Sequence, residues 1–190
     1  MPPTRVALVH CENYGPAQVA QAIRRQIELI GGIETFVKPG DSVLIKPNFI
    51  APRSHHRSAA QTHPTVIIEV ARLLKDCGAR PFVADSPAWA DTATCARALE
   101  LTEPLHKLGV PIRQLDRPKK IRLGRGGPRV GISSVALDAD VIINLPKLKA
   151  SLDSQDVLLR AARVAGLVDG LSSKRPLANP IIGAAAAAGA

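Results

Sequence analysis

A chain of 190 residues with 46% apolar and only 3% aromatic residues suits one domain whose core is built from Val, Ile, Leu and Ala. No apolar run approaches the roughly 20 residues that cross a bilayer. The start lacks a signal-peptide layout, because its short apolar run is followed by Glu12. Cys11, Cys77 and Cys95 lie too far apart for a CxxC pair, a zinc spacing or a disulfide framework, which points to reduced thiols in a cytoplasmic setting.

In chain order, Val6-Ala7-Leu8-Val9 within residues 4–11 reads as a short buried strand, bounded by the turn-like Asn13-Tyr14-Gly15-Pro16. Val19, Ile23, Ile27 and Ile30 recur at helical spacing, and Gly31-Gly32 ends that helix. Lys38-Pro39-Gly40-Asp41 is a turn, and Ser42-Val43-Leu44-Ile45 is a second strand leaving through Lys46-Pro47-Asn48. Residues 51–63 form a polar loop, with His55 and His56 as loop residues in place of ligands. Pro64 suits the first turn of a helix, with Val66, Val70, Leu73 and Cys77 as its buried stripe.

Arg80-Pro81-Phe82-Val83-Ala84 is a third strand ending at Asp85-Ser86-Pro87, and Trp89 just beyond it either lines a pocket or caps the core, with the core slightly favoured. A helical region near 91–108, a strand at 110–115 and a basic hairpin or loop follow; residues 139–145 form the last strand, which leaves through Pro146-Lys147-Leu148-Lys149. Strands alternating with helices at these lengths predict an α/β fold: a largely parallel sheet with helices on both faces, in a single domain over residues 1–170. Residues 157–168 read as a helix, and the Ala-rich residues 171–190 as a low-complexity, disordered tail.

In a parallel sheet the carboxyl ends of the strands share one edge, where ligands bind. Three strands here end in polar clusters: Lys46-Pro47-Asn48, Asp85-Ser86-Pro87, and Asn144 with Lys147 and Lys149. His63, at a helix start that favours anions, is positioned to join them. Three lysines and a helix N-terminus suit a carboxylate or phosphate, and Asp85 is a partner for a lysine, a metal ligand or a base. Each cluster is also ordinary turn chemistry, so a structural role stands beside the functional one. No metal-ligand spacing, GxGxxG, phosphate loop or serine elbow is present.

Between Arg113 and Arg129 seven basic residues face one acid, Asp116, in a chain of net charge +9. Such a stripe either binds an anionic surface or nucleic acid, or is a solvated hairpin. No aromatic is interleaved to stack on single-stranded bases.

The order of these pieces resembles one family. Residues 36–48 resemble its opening "kpGdkVliKPN", Thr62-His63-Pro64 its "tTHP", and Cys77-Gly78-Ala79 its "eaGA". Asp85-Ser86-Pro87 is similar to "gDsP", and residues 141–149 to "viNlPKlKtH". On these motifs, spanning about residues 5–150, the chain resembles the domain of unknown function 362 family. Some members carry a ferredoxin-like cysteine cluster, which implies a link to redox metabolism; this chain has no such motif, and its cofactor is unspecified. Ala150 and Ser151 stand where the family has Thr-His, and the Lys-Asn and Phe-Gly that follow there are missing. The expectation is a C-terminal region shortened or divergent after about residue 150.

The leading expectation is an enzyme-like domain that binds an anionic small molecule at the strand ends. Lys46, Asp85 and Lys147 are its candidate catalytic residues, and Asn48, His63, Ser86, Asn144 and Lys149 its ligand-binding ones. The alternatives are nucleic-acid or anionic-surface binding through the basic segment 113–129, or a truncated product without activity.

Overall fold

A computed structural model describes residues 6–55 and 60–147. Four strands form the main sheet: β1 (Ser42–Pro47), β2 (Arg80–Asp85), β3 (Ile112–Gln114) and β6 (Val141–Leu145). They lie in the order β3-β2-β1-β6, and every pairing is parallel. The central strands are buried on both sides and read as continuous apolar runs because a parallel sheet is covered on both faces. β4 (Pro118–Arg122) and β5 (Arg129–Ser133) form a separate antiparallel hairpin. The α/β class predicted from the alternation is therefore the observed one.

Side chains alternate along each strand, and the two faces carry two cores. Val43, Ile45, Val83 and Ile143 point to the larger one, with α1 (Pro16–Leu29), α2 (Pro64–Asp76), α3 (Thr92–Ala98) and α4 (Thr102–Lys107). Leu44, Phe82, Ala84 and Ile142 point to the smaller one, under Val135 and Ala136 of the short helix α5 (Ser134–Leu137). Arg113 closes part of that second face by laying its guanidinium 4.4 Å from the centre of the Phe82 ring.

Local chemistry sets the helix ends. Pro16 opens α1 after Gly15, whose amide is held by the Asn13 side chain at 2.8 Å, and Gly32 at φ 86° turns the chain out of it. Pro64 opens α2, with the His63 ring nitrogen accepting from the Thr65 amide at 3.3 Å. Gly78, at φ 77°, ends that segment with Pro39 packed against it. Asp91 caps α3 by accepting from the Thr94 amide at 2.7 Å and from its hydroxyl at 3.0 Å. Those bonds, the amide's above all, hold the Asp91 carboxyl below the ordinary carboxylate range. A depressed folded pKa means stability that is present above the unfolded value and lost as pH falls through the folded one. Asp91→Ala is therefore expected to lower Tm at neutral pH, with the gap to the parent closing as the solution is acidified below that range; melting curves across a pH series check it.

Several expected elements differ from the observed ones. Residues 6–11 form no strand, and Val6 and Leu8 are 81% and 89% exposed. A four-residue apolar run becomes a strand only with a partner edge to hydrogen-bond, and among the described residues this one has none. In α2 the buried stripe is Val66, Ile67, Val70, Ala71 and Leu74, while Leu73 and Cys77 are half-buried. The helical region at 91–108 breaks in two where Glu100 takes φ 58°, which turns Leu101 and Leu105 into the core. The strand expected at 110–115 pairs only over Ile112–Gln114, and α5 carries no periodic signal that a four-residue helix could show. Trp89 is exposed, not in the core. The helix expected at 157–168, the tail at 171–190 and the altered C-terminal region lie outside the described residues.

Candidate functional site

The carboxyl edge of the sheet gathers most of the predicted polar residues into two adjoining groups. In the first, Lys46 reaches across from the end of β1 to Asp85 at the end of β2, with Nζ 2.9 Å from Oδ1. The other carboxylate oxygen accepts the Phe49 amide at 2.8 Å. Asp85 is buried, whereas the Lys46 side chain is 39% exposed. Both carboxylate oxygens are thus occupied, and Asp85 acts as an ordering anion that fixes the Lys46 ammonium and the chain leaving β1. Asn144 is the register partner of Lys46 on β6, so the two side chains share one face of the sheet.

The second group lies where α1 and α2 begin. Tyr14 stacks on His63, with ring centres 3.9 Å apart and planes 8° from parallel. His55 meets the same imidazole edge-on at 4.9 Å. Lys147, two residues past the end of β6, donates to the Tyr14 hydroxyl at 2.6 Å and sits 5.2 Å from its ring centre. Among the described residues no carboxylate forms an ion pair with Lys147, in contrast to Lys46.

Thr62 ties the groups together. Its hydroxyl donates to the Leu145 carbonyl at 2.6 Å and accepts the Asn48 amide at 2.9 Å. Asn48 in turn donates through its side chain to the Ala60 carbonyl at 2.8 Å. The predicted ligand Asn48 is therefore engaged in holding the 48–62 loop closed. Buried Gln61 continues the same lacing, accepting the Ile50 amide at 3.1 Å and donating to the Arg53 carbonyl at 2.9 Å.

Of the sequence-predicted set, Lys46 and Asp85 pair directly, Asn144 lies beside Lys46, and His63 and Lys147 share the Tyr14 ring. Ser86 is exposed where the chain leaves β2, and Lys149 lies outside the described residues. Tyr14 and Thr62 were not among the predicted site residues. Thr62 was visible in its motif beside His63, while nothing local marks Tyr14, which is drawn in only by the packing of α1 on α2. Burial pushes the Cys77 and Cys95 thiols above their ordinary range, so neither is an activated thiolate near neutral pH. Among the described residues no group of three His, Cys, Asp or Glu side chains is placed to hold a metal ion.

An α/β domain whose polar residues collect at the carboxyl edge of a parallel sheet is the class that this geometry defines. The family model described as Domain of unknown function (DUF362) matches residues 43–152, and the chain belongs to that family. The thylakoid-associated protein sll1697 of Synechocystis sp. (strain ATCC 27184 / PCC 6803 / Kazusa) is 34% identical over 145 residues, which is 76% of this chain and 45% of that protein. The chain thus spans less than half the length of this relative. No solved structure matches it.

Proposed function

We propose that this edge binds an anionic small molecule, a carboxylate or a phosphate, in an enzyme-like domain whose reaction depends on the lysines there. The observation that supports the reading is the Lys147 ammonium, held by the Tyr14 hydroxyl over a stacked Tyr14–His63 pair at the mouth of α2 and without a carboxylate neighbour among the described residues. A cation placed this way beside a helix N-terminus favours an anion on both counts. Lys46, already neutralised by Asp85, would contribute a second donor with little net charge. No described helix is long and apolar enough to cross a membrane, and a cytoplasmic location is part of the same proposal.

The test is a thermal-shift and calorimetry panel of inorganic phosphate, small carboxylates and phosphorylated metabolites. The tie to redox metabolism implied by the family resemblance makes nicotinamide and flavin phosphates natural members. A charge-assisted hydrogen bond contributes about 1.5–3 kcal/mol, so Lys147→Met is expected to weaken binding roughly tenfold or more without changing the fold. Tyr14→Phe, which frees the ammonium but keeps the ring, should weaken it less. Anions that bind Lys147→Met as well as the parent would rule this edge out.

A further inference from the structure

The β4–β5 hairpin has two unlike faces. Lys120 lies opposite Gly131 and Arg122 opposite Arg129, while Lys119 lies opposite Ile132 and Ile121 opposite Val130. Alternation puts Lys120, Arg122 and Arg129 together on one side of the ribbon and Ile121, Val130 and Ile132 on the other. The first three are exposed and the second three half-buried, so the cationic face is the outward one. Arg122 and Arg129 stand directly across from each other, a like-charge pairing that costs stability in a two-stranded ribbon. Among the described residues, the one ion pair in segment 113–129 joins Arg117 to its neighbour Asp116, so the charge is not offset from within. At the tip, Arg125 is exposed too.

An exposed tryptophan lies on a loop tied to the segment that leads into this ribbon. The loop carrying Trp89 starts at Asp85, whose carbonyl accepts the Leu115 amide at 2.9 Å. It ends at Thr92, whose amide and hydroxyl both bond the Gln114 side chain at 2.7 Å. Both ends of the loop are therefore pinned to the segment that feeds directly into β4. Trp89 is 79% exposed there, an unusual position for the largest apolar side chain of a chain so poor in aromatics. An exposed indole on a loop anchored at the base of a cationic ribbon matches the two layers of an anionic membrane surface: headgroup phosphates for Lys and Arg, and the interfacial zone for Trp. Duplex nucleic acid would use the ribbon but leave the indole unexplained.

We infer that the Trp89 loop and the outward face of the β4–β5 ribbon form one surface that docks on anionic lipid bilayers. The inference is independent of the small-molecule site, so Lys147→Met should dock as the parent does. Trp89 is the only tryptophan in the chain, so intrinsic fluorescence reports on this loop alone. The experiment is flotation of the full chain with phosphatidylcholine vesicles, with and without phosphatidylglycerol, while emission and acrylamide quenching are followed. Binding only to the anionic vesicles, a blue shift, protection from quenching and loss of binding at high salt are expected. Each cation near such a surface contributes roughly a fivefold factor, so combining Lys120→Gln, Arg122→Gln and Arg129→Gln should cut binding about a hundredfold. Circular dichroism checks that this variant is folded; if it is not, Trp89→Ala alone, with a smaller loss, and the charge-keeping Lys120→Arg, with none, carry the test. Equal binding to neutral vesicles, binding with unchanged Trp89 emission, or retention by duplex DNA in place of vesicles would overturn the inference.

Discussion

Replacing Asp85 by alanine is expected to cost about 3 kcal/mol of folding stability, a fall in Tm on the order of 10 °C for a domain of this size. The carboxylate is buried and both of its oxygens are engaged, one by the Lys46 ammonium at 2.9 Å and one by the Phe49 amide at 2.8 Å. Removing it leaves a half-buried cation and an inward-facing amide without their acceptor. The cost sits at the low end for a broken buried pair because the Lys46 side chain, at 39% exposure, regains some hydration. Asp85→Asn keeps the volume and one acceptor, and should fall between the parent and alanine. Exchanging both partners for apolar residues, Lys46→Met with Asp85→Leu, should cost less than the two single changes added together, since no charge is then stranded. Urea unfolding followed by circular dichroism measures all five; Trp89 is too exposed to be a sensitive reporter of folding. A loss below about 1 kcal/mol for Asp85→Ala would mean that the pair does not brace the strand ends.

Thr62→Val is expected to be nearly as costly, about 2–3 kcal/mol, although it removes no charge and barely changes shape. The hydroxyl is buried, giving a proton to the Leu145 carbonyl at 2.6 Å and taking one from the Asn48 amide at 2.9 Å. Valine leaves both backbone groups unpaired in a dry place, and that desolvation penalty, more than the lost bonds, sets the size of the effect. Thr62→Ser keeps the hydroxyl and should stay within about 1 kcal/mol of the parent. Hydrogen exchange adds a local reading: the Asn48 amide should exchange much faster in the valine variant and stay protected in the serine one. Because Thr62 joins the β1 exit to the β6 exit, the valine variant should also weaken anion binding at Lys147 without touching the ligand. If its stability matches the parent's, the two exits are held by something other than this hydroxyl.

The site was legible in part, and the division follows from the kind of interaction. Lys46, Asp85, Asn144 and Lys147 each follow an apolar run, and in parallel strands such positions share one edge by construction. The sequence therefore places them in one neighbourhood, but not in pairs. That Lys46 takes Asp85 while Lys147 takes Tyr14 depends on which strands are neighbours and on how far each side chain reaches. Asn48 shows the other limit: a ligand-like side chain at a strand end is spent on the Ala60 carbonyl, closing a loop whose far side is 12 residues away.

Trp89 and Leu8 mark where composition misleads. Apolar character predicts burial only when the chain brings other apolar surface to meet it, and loop residues are placed by their ends. Trp89 stays outside because its loop is pinned at Asp85 and Thr92 to the β3 exit, and Leu8 because its run has no strand partner among the described residues. The basic segment was legible as exposed, since one acid cannot neutralise seven bases in a core, but its two-faced form required the pairing register.

By itself the sequence determined the α/β class, three of the four strands of the main sheet, the helix start at Pro64, and the family. Each of these follows from signals a few residues long: apolar runs, 3.6-residue periodicity, proline and glycine punctuation, and five motifs in order. Only the tertiary structure decided the strand order β3-β2-β1-β6, the unequal cover of the two sheet faces by the described residues, the Lys46–Asp85 and Lys147–Tyr14 partnerships, and the exposure of Trp89 on a loop tied to the β3 exit. These rest on contacts between residues up to 133 positions apart. Closing such distances costs chain entropy that only the collective burial of the core offsets, and no local pattern carries that sum.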